Sequence, residues 1–119
     1  MVTREQVFEH VHEKYGIRPD YIFKQFPRYA ALRHANNRKW YGLIMNVPRE
    51  NLGLEGKEEL DIINLKLDPE LLQMLKTKTG YFTAYHMNKE HWISISLKDA
   101  ESSELFQLIE NSYILTKKK

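Results

Sequence analysis

The sequence predicts an α+β fold, a two-layer sandwich in which three helices cover a mainly antiparallel five-stranded sheet, in the order α-βββ-α-ββ-α. Two observations support this prediction. Three segments repeat apolar residues with helical spacing, and five segments have strand-like apolar runs bounded by polar turns. Strands joined by short turns pair in antiparallel fashion, and amphipathic helices bury their apolar stripes against the resulting sheet. The length fits a single domain spanning residues 1–119.

The first predicted element is an amphipathic helix over residues 3–15. Thr3 and Gln6 have the spacing of a capping box, and Gly16 is a stop signal. The apolar stripe of this helix consists of Val7, Phe8, Val11 and Tyr15. Residues 21–26 follow between two prolines, and we predict an irregular segment there.

A first hairpin is predicted from strands at residues 29–33 and 39–47. Asn36 and Asn37 lie between them, and asparagine tolerates the left-handed backbone that a tight turn requires. Residues 49–59 then contain two glycines and mixed charge, which predicts a loop with one short helical turn.

The second half of the chain predicts five elements and a tail. Asp68 followed by Pro69 is a strong helix start, because the carboxylate caps free N–H groups and proline suits the first helical position. The elements are a strand at 60–67, a helix from Asp68 to near Gly80, strands at 81–85 and 92–97, a helix capped by Ser102 or Ser103 that runs through Tyr113, and a flexible tail at 115–119.

Composition excludes several classes of protein. The chain has no cysteine, so disulfides, thiolate catalysis and zinc–thiolate sites are absent. No apolar run is long enough to span a bilayer and the N-terminus does not resemble a signal peptide, which predicts a cytoplasmic protein without a membrane partner. Phosphate-loop and dinucleotide glycine patterns are also absent, so no cofactor is predicted, and no catalytic motif is found. We therefore expect that the protein is not an enzyme.

Charge is distributed unevenly, although the net charge is only +2. Residues 1–45 carry eight Lys or Arg against four Asp or Glu, residues 46–75 carry three against seven, and residues 76–119 carry seven against five. The basic excess lies around the first hairpin. It permits an anionic partner, but it is weaker than the basic stripe of a dedicated nucleic-acid binder.

The pattern His-x-Asn-x-x-x-Trp occurs twice, at His34, Asn36 and Trp40 and at His86, Asn88 and Trp92. In a structural interpretation, Asn takes the left-handed turn position, Trp anchors the returning strand and His closes the other side. In a functional one, the hairpins are two wings whose basic and amide tips contact DNA phosphates and grooves. The candidate nucleic-acid-binding residues are Arg33, His34, Asn36, Asn37, Arg38, Lys39, His86, Asn88, Lys89 and His91.

Two other kinds of chemistry have weaker support. His86, Glu90 and His91 resemble the His-x-x-Glu-His zinc motif, but their spacing is one residue longer, they lie in a predicted turn and no third ligand is evident. No metal site is therefore predicted. Ser94 and Ser96 lack the setting of a nucleophile and are interpreted as polar-face strand residues.

Several segments of the chain are distinctive: residues 33–41, Val47-Pro48-Arg49, Leu52-Gly53-Leu54, Asn64-Leu65-Lys66, Asp68-Pro69-Glu70 and, above all, residues 84–94. Together they resemble the MmcQ/YjbR family of small bacterial proteins over nearly the whole chain. The resemblance implies that family's two-layer fold. It also implies a DNA-binding role, because the paired hairpins of the family are described as a double wing, but it implies no catalytic residue.

Two hypotheses follow. In the first, Arg33, Arg38, Lys39 and Lys89 bind DNA phosphates while Asn36, Asn37 and Asn88 make polar contacts. In the second, the protein is a protein-binding, chaperone-like or self-associating module without nucleic acid. The candidates for that second role are Tyr21, Phe23, Phe26 and Tyr29, for which core packing is the favoured interpretation.

Overall fold

The computed structural model describes residues 1–117 and confirms the predicted fold and element order. A 3₁₀ helix, Arg49–Leu52, forms the helical turn predicted after the second strand. None of the helices in the described part is long and apolar enough to cross a membrane. The helices and strands are α1 Arg4–Tyr15, β1 Ala30–Arg33, β2 Trp40–Pro48, β3 Glu59–Lys66, α2 Pro69–Leu75, β4 Tyr81–Thr83, β5 Trp92–Ser96 and α3 Ser102–Thr116.

The five strands form one antiparallel sheet in the order β1-β2-β3-β5-β4. Because every neighbouring pair is antiparallel, both hairpin turns lie at the same end of the sheet. We call this the tip end; it comprises the first tip, residues 34–39, and the second tip, residues 84–91. The opposite end contains the junction where Pro48 of β2 pairs with Glu59 of β3.

All three helices pack on one face of the sheet, the helix face. Its core contains Ile44, Ile63 and Ile95 from the central strands together with apolar side chains from each helix. At the start of α1, Thr3 and Gln6 form the predicted capping box, and Gly16 ends the helix with a φ of 70°. The helical periodicity of the sequence therefore corresponds to this buried layer.

The other face of the sheet, the open face, is also apolar. Met45 and Ile62 lie opposite each other on β2 and β3 and are 1% and 0% exposed. Partly buried side chains from three loops pack against this second cluster: Phe23, Leu52, Leu54, Tyr85 and Met87. The sheet is therefore buried on both faces, which explains why Ile62 and Ile63 interrupt the alternation of the third predicted strand.

Two predicted boundaries differ from the structure. α2 ends at Leu75, five residues before Gly80, and turns complete the connection to β4. The N-cap of α3 is Glu101, because its carboxylate accepts hydrogen bonds from the backbone N–H groups of Ser103 and Glu104. A carboxylate offers two acceptor oxygens to these free N–H groups, whereas a serine hydroxyl offers one oxygen.

The flexible tail predicted from residue 115 does not begin there. Leu115 and Thr116 belong to α3, and Thr116 is buried, with its hydroxyl donating to the carbonyl of Ser112 at 2.7 Å. Lys118 and Lys119 lie outside the described residues. The last turn of α3 is consequently part of the packed structure beside the first tip.

Candidate nucleic-acid interface

The two tips lie side by side at one end of the molecule. Three strand spacings separate the centre of the β1–β2 hairpin from the centre of the β5–β4 hairpin. At about 4.8 Å per spacing, the two hairpins are about 14 Å apart where they leave the sheet. The last turn of α3 also reaches this end, because Asn37 of the first tip donates hydrogen bonds to the carbonyls of Thr116 and Lys117 at 3.3 and 3.4 Å.

The first tip is closed by backbone hydrogen bonds and by its asparagines. His34 N–H donates to the carbonyl of Lys39, and Arg38 N–H donates to the carbonyl of His34. Asn37 Oδ1 accepts from Lys39 N–H at 2.9 Å, and Asn36 Oδ1 accepts from Asn37 N–H at 2.7 Å. The prediction that asparagine takes the left-handed position is therefore wrong: Arg38 has the positive φ, 63°, while the asparagine oxygens satisfy turn amides.

His34 is a core residue of the first tip, only 2% exposed. Its Nε2 lies 2.7 Å from the hydroxyl of Thr116, and its ring packs against Tyr41 and Tyr113. Because the single hydroxyl hydrogen of Thr116 is donated to Ser112, Nε2 is the donor in this contact. The imidazole of His34 is therefore not accessible to a ligand, although the sequence suggested it as a binding residue.

Burial lowers the pKa of His34, and the positive charges of Lys117 and Lys39 lower it further. The unfolded chain therefore binds a proton at His34 more readily than the folded protein does, so stability falls as the pH drops below the ordinary histidine value of about 6.5. Urea unfolding at pH 7.5 and pH 5.5 measures this loss. We expect a smaller loss in His34→Gln, because the variant lacks this titrating imidazole. Part of the loss should remain, because His10, whose pKa is also lowered by burial, is retained. An equal loss in both proteins would exclude this role for His34.

Arg33 is held within the protein. Its guanidinium forms an ion pair with Asp20, with N–O distances of 2.9 Å from Nε and 2.8 Å from the terminal nitrogen. Asp20 also forms a backbone bridge with Ala31 of β1, so the pair fastens the irregular segment to the edge of the sheet. In the first tip, Arg38 and Lys39 are the exposed cations.

The second tip has the same sequence motif but a different conformation. The positive φ belongs to His86, at 62°, rather than to Asn88. Asn88 Oδ1 accepts from the N–H groups of Glu90 and His91 at 2.8 and 3.2 Å, which forms an Asx turn. His86, Asn88, Lys89 and His91 are all exposed. The second histidine of the repeat is thus open to solvent whereas the first is buried.

A buried polar network holds the base of the second tip over the open face. Ser94 Oγ donates to Asn64 Oδ1 at 2.6 Å, Asn64 Nδ2 donates to the carbonyl of Tyr85 at 3.0 Å, and Tyr85 N–H donates to Ser94 Oγ at 2.9 Å. Asn64 and Ser94 are each 0% exposed, so this tip covers the predicted polar face of β5 at Ser94; Ser96 is also 0% exposed, and its Oγ has no hydrogen-bond partner among the described residues. Buried polar groups that satisfy one another fix a single arrangement of the chain.

An aromatic cleft with a volume of about 370 Å³ lies on the open face between the two tips. β2 forms its floor, the irregular segment and Trp40 form one wall, and the second tip forms the other. Its lining residues are Phe23, Phe26, Tyr29, Trp40, Leu43, Met45, His86, Met87 and Asn88. The sequence indicated three of these aromatics as protein-binding candidates and Trp40 as an anchor, but it did not connect them with the tips.

The two tryptophans of the repeat have different surroundings. Trp40 is half-buried, packs with its ring centroid 5.8 Å from that of Phe23, and joins the open-face cluster. Trp92 is half-buried on β5 opposite Lys66 and belongs to neither apolar cluster. The anchoring role expected of Trp is therefore clear for Trp40 alone.

The two ends of the sheet differ in charge. Arg38, Lys39 and Lys89 are exposed at the tip end, where Glu90 is an acidic neighbour and the exposed Asp68 and Glu70 follow the end of β3. The acidic stretch around the start of β3 lies at the opposite end, where Asp61 forms an ion pair with Arg4 at 3.0 Å. Within the described residues no three His, Asp or Glu side chains form a group that could hold a metal ion.

Comparison with known proteins gives a consistent assignment. The YjbR family model matches residues 12–115. The Bacillus subtilis (strain 168) protein called "Uncharacterized protein YyaQ" is 53% identical over 118 residues, which cover 98% of this chain and 100% of that protein.

Solved structures agree with this assignment. A crystal structure and a solution NMR structure of a Pseudomonas syringae protein are each 43% identical to this chain, and each match covers 97% of it. The crystal structure has a TM-score of 0.94, and the match covers 99% of its chain. The NMR structure has a TM-score of 0.87, and the match covers 93% of its chain. A crystal structure of a Deinococcus radiodurans protein is 21% identical and shares the fold, with a TM-score of 0.76. The match covers 100% of this chain and 81% of the Deinococcus chain. The chain described here belongs to the YjbR family.

Proposed function

We propose that this protein is a non-enzymatic DNA-binding protein that contacts the phosphate backbone with its tip end. One observation carries the proposal: both hairpin tips lie at the same end of one sheet and expose Arg38, Lys39 and Lys89 there. The separation of about 14 Å between the hairpins at the edge of the sheet is close to the width of the major groove, about 12 Å. Each tip could therefore reach one of the two backbones that border the groove.

The acidic residues before and at the start of β3 lie away from the tips, which also supports the proposal. Glu55, Glu58 and Glu59 are exposed at the opposite end of the sheet, so they do not lie between the tips where they would repel phosphates. The set of proposed contacts is smaller than the sequence suggested. His34 is buried, Arg33 is paired with Asp20, and Asn37 is bonded to the end of α3. The remaining exposed groups are Asn36, Arg38, Lys39, His86, Asn88, Lys89 and His91.

A salt titration tests this proposal. Fluorescence anisotropy of a labelled duplex of about 20 base pairs, measured between about 50 and 200 mM salt, gives the slope of log K against log salt concentration. Three phosphate contacts, by Arg38, Lys39 and Lys89, predict a slope of about −2.7, since each contact contributes about −0.9. Absence of binding at the lowest salt concentration, or a slope near zero, would contradict the proposal.

A second candidate function, a protein-binding or self-associating module, is favoured by one observation. Tyr21, Ile22 and Phe26 of the irregular segment are 56%, 46% and 48% exposed and lie close together in the chain. Contiguous exposed apolar groups are typical of protein interfaces. Sedimentation equilibrium of the purified protein tests self-association, which predicts an apparent mass that rises with concentration and that Ile22→Asp returns to the monomer value.

A further inference from the structure

We infer that the aromatic cleft binds unpaired bases of single-stranded DNA, while the cations beside it hold the phosphates on either side. This inference rests on the proposed function and extends it to a ligand class. Three features of the cleft support it: the stack of rings, the lysines that adjoin the lining residues, and the polar groups on the wall opposite the aromatic residues.

The rings are arranged so that a further ring can be added. Phe26 stacks on Tyr29 with a centroid distance of 4.6 Å and an interplanar angle of 17°, and Phe23 contacts Tyr29 edge-on. Tyr29 is buried, but Phe26 is 48% exposed. A planar base placed on Phe26 would continue this stack and cover an exposed aromatic surface.

Exposed lysines adjoin the lining residues of the cleft along the chain. Lys39 precedes Trp40, Lys24 follows Phe23, and Lys89 follows Asn88, with the Lys89 Nζ 3.5 Å from the carbonyl of Ala84. A ligand that complements this arrangement has a flat apolar ring with a negative charge on each side. A nucleotide within a single strand has this chemistry, whereas an apolar peptide side chain lacks the flanking charges.

The wall formed by the second tip adds polar groups. Asn88 Oδ1 is occupied by two backbone N–H groups, which leaves its amide NH₂ as a donor, and the exposed ring of His86 lies beside it. These groups can contact the edge of a base that is stacked on the opposite wall. In a duplex, the same base edges and faces are taken up by pairing and stacking, so the cleft favours a single strand.

Three labelled probes test the inference by anisotropy: a single-stranded oligothymidylate, an abasic strand with the same number of phosphates, and a duplex of equal length. We expect the oligothymidylate to bind about tenfold more tightly than the abasic strand, because stacking of even one base has that effect. Equal affinity for these two strands overturns the inference but leaves phosphate binding intact. Failure to bind any probe overturns both the inference and the proposed function.

Variants of Phe26 assign the effect to the cleft. In Phe26→Ala the preference for oligothymidylate over the abasic strand should fall to about one, and in Phe26→Tyr it should be retained, because the ring is kept. The matched control is Tyr21→Ala, which removes an exposed aromatic residue outside the cleft lining and should keep the preference. An unchanged preference in Phe26→Ala overturns the inference. So does a monomer–dimer shift in Phe26→Ala without a change in the preference, because the cleft would then be a protein interface.

Discussion

Replacing Ile62 with alanine is expected to lower the free energy of unfolding by about 2–5 kcal/mol, the range measured for large core residues. Ile62 lies on the open face of the central strand β3 and is 0% exposed. It pairs across the sheet with Met45 and packs within the second apolar cluster. The substitution would leave a cavity that the surrounding β-strands cannot close, and urea unfolding measures the loss.

Ile22→Ala is the matched control for this experiment. Ile22 is 46% exposed, so the same change of side chain should alter stability by no more than about 0.5 kcal/mol. Ile63→Ala, on the helix face, should cost about as much as Ile62→Ala, because Ile63 is also 0% exposed. A loss below about 0.5 kcal/mol for Ile62→Ala would show that the open face is not a packed layer.

The fold could be predicted largely from local signals. Apolar periodicity indicated the helices and strands, and the capping box of Thr3 and Gln6 marked the start of α1 correctly. Short turns between consecutive strands were sufficient to predict antiparallel pairing. The end of α2 was less predictable, since residues 76–80 have no strong stop signal before Gly80 and the boundary depends on tertiary packing.

The tips show where sequence reasoning reaches its limit. His34 and His86 occupy equivalent positions in a repeated motif, but His34 is buried because Thr116 and Tyr113 of α3 pack against it. Those contacts join residues about 80 positions apart in the chain, and the spacing within a motif contains no information about them. The sequence could therefore identify the tips but not which of their side chains are accessible.

The aromatic cleft was missed for a related reason. Ser94 and Ser96 appear in the sequence as polar-face strand residues, but Ser94 and Asn64 satisfy each other and Tyr85 beneath the second tip. Only this folding of the second tip over β5 brings Met87 to the wall opposite Phe26. The unusual concentration of aromatic residues around the prolines at 19 and 27 was the available signal, and it does not specify a partner.

The central claim, that the tip end binds DNA, is tested most directly by removing its charge. In the double variant Arg38→Ala with Lys39→Ala, affinity for duplex DNA at about 0.1 M salt should fall about 60-fold, which is roughly eightfold for each lost phosphate contact. The slope of log K against log salt concentration should decrease in magnitude by about 1.8. Both side chains are exposed, so the fold should be retained.

The charge-matched control is Lys57→Ala with Lys98→Ala, which removes two exposed cations from the opposite end of the sheet. We expect its affinity to stay within about twofold of the original protein, because these lysines contact no phosphate in the proposed complex. Equal losses of affinity in the two double variants, or no loss in Arg38→Ala with Lys39→Ala, would contradict the claim that DNA binds at the tips.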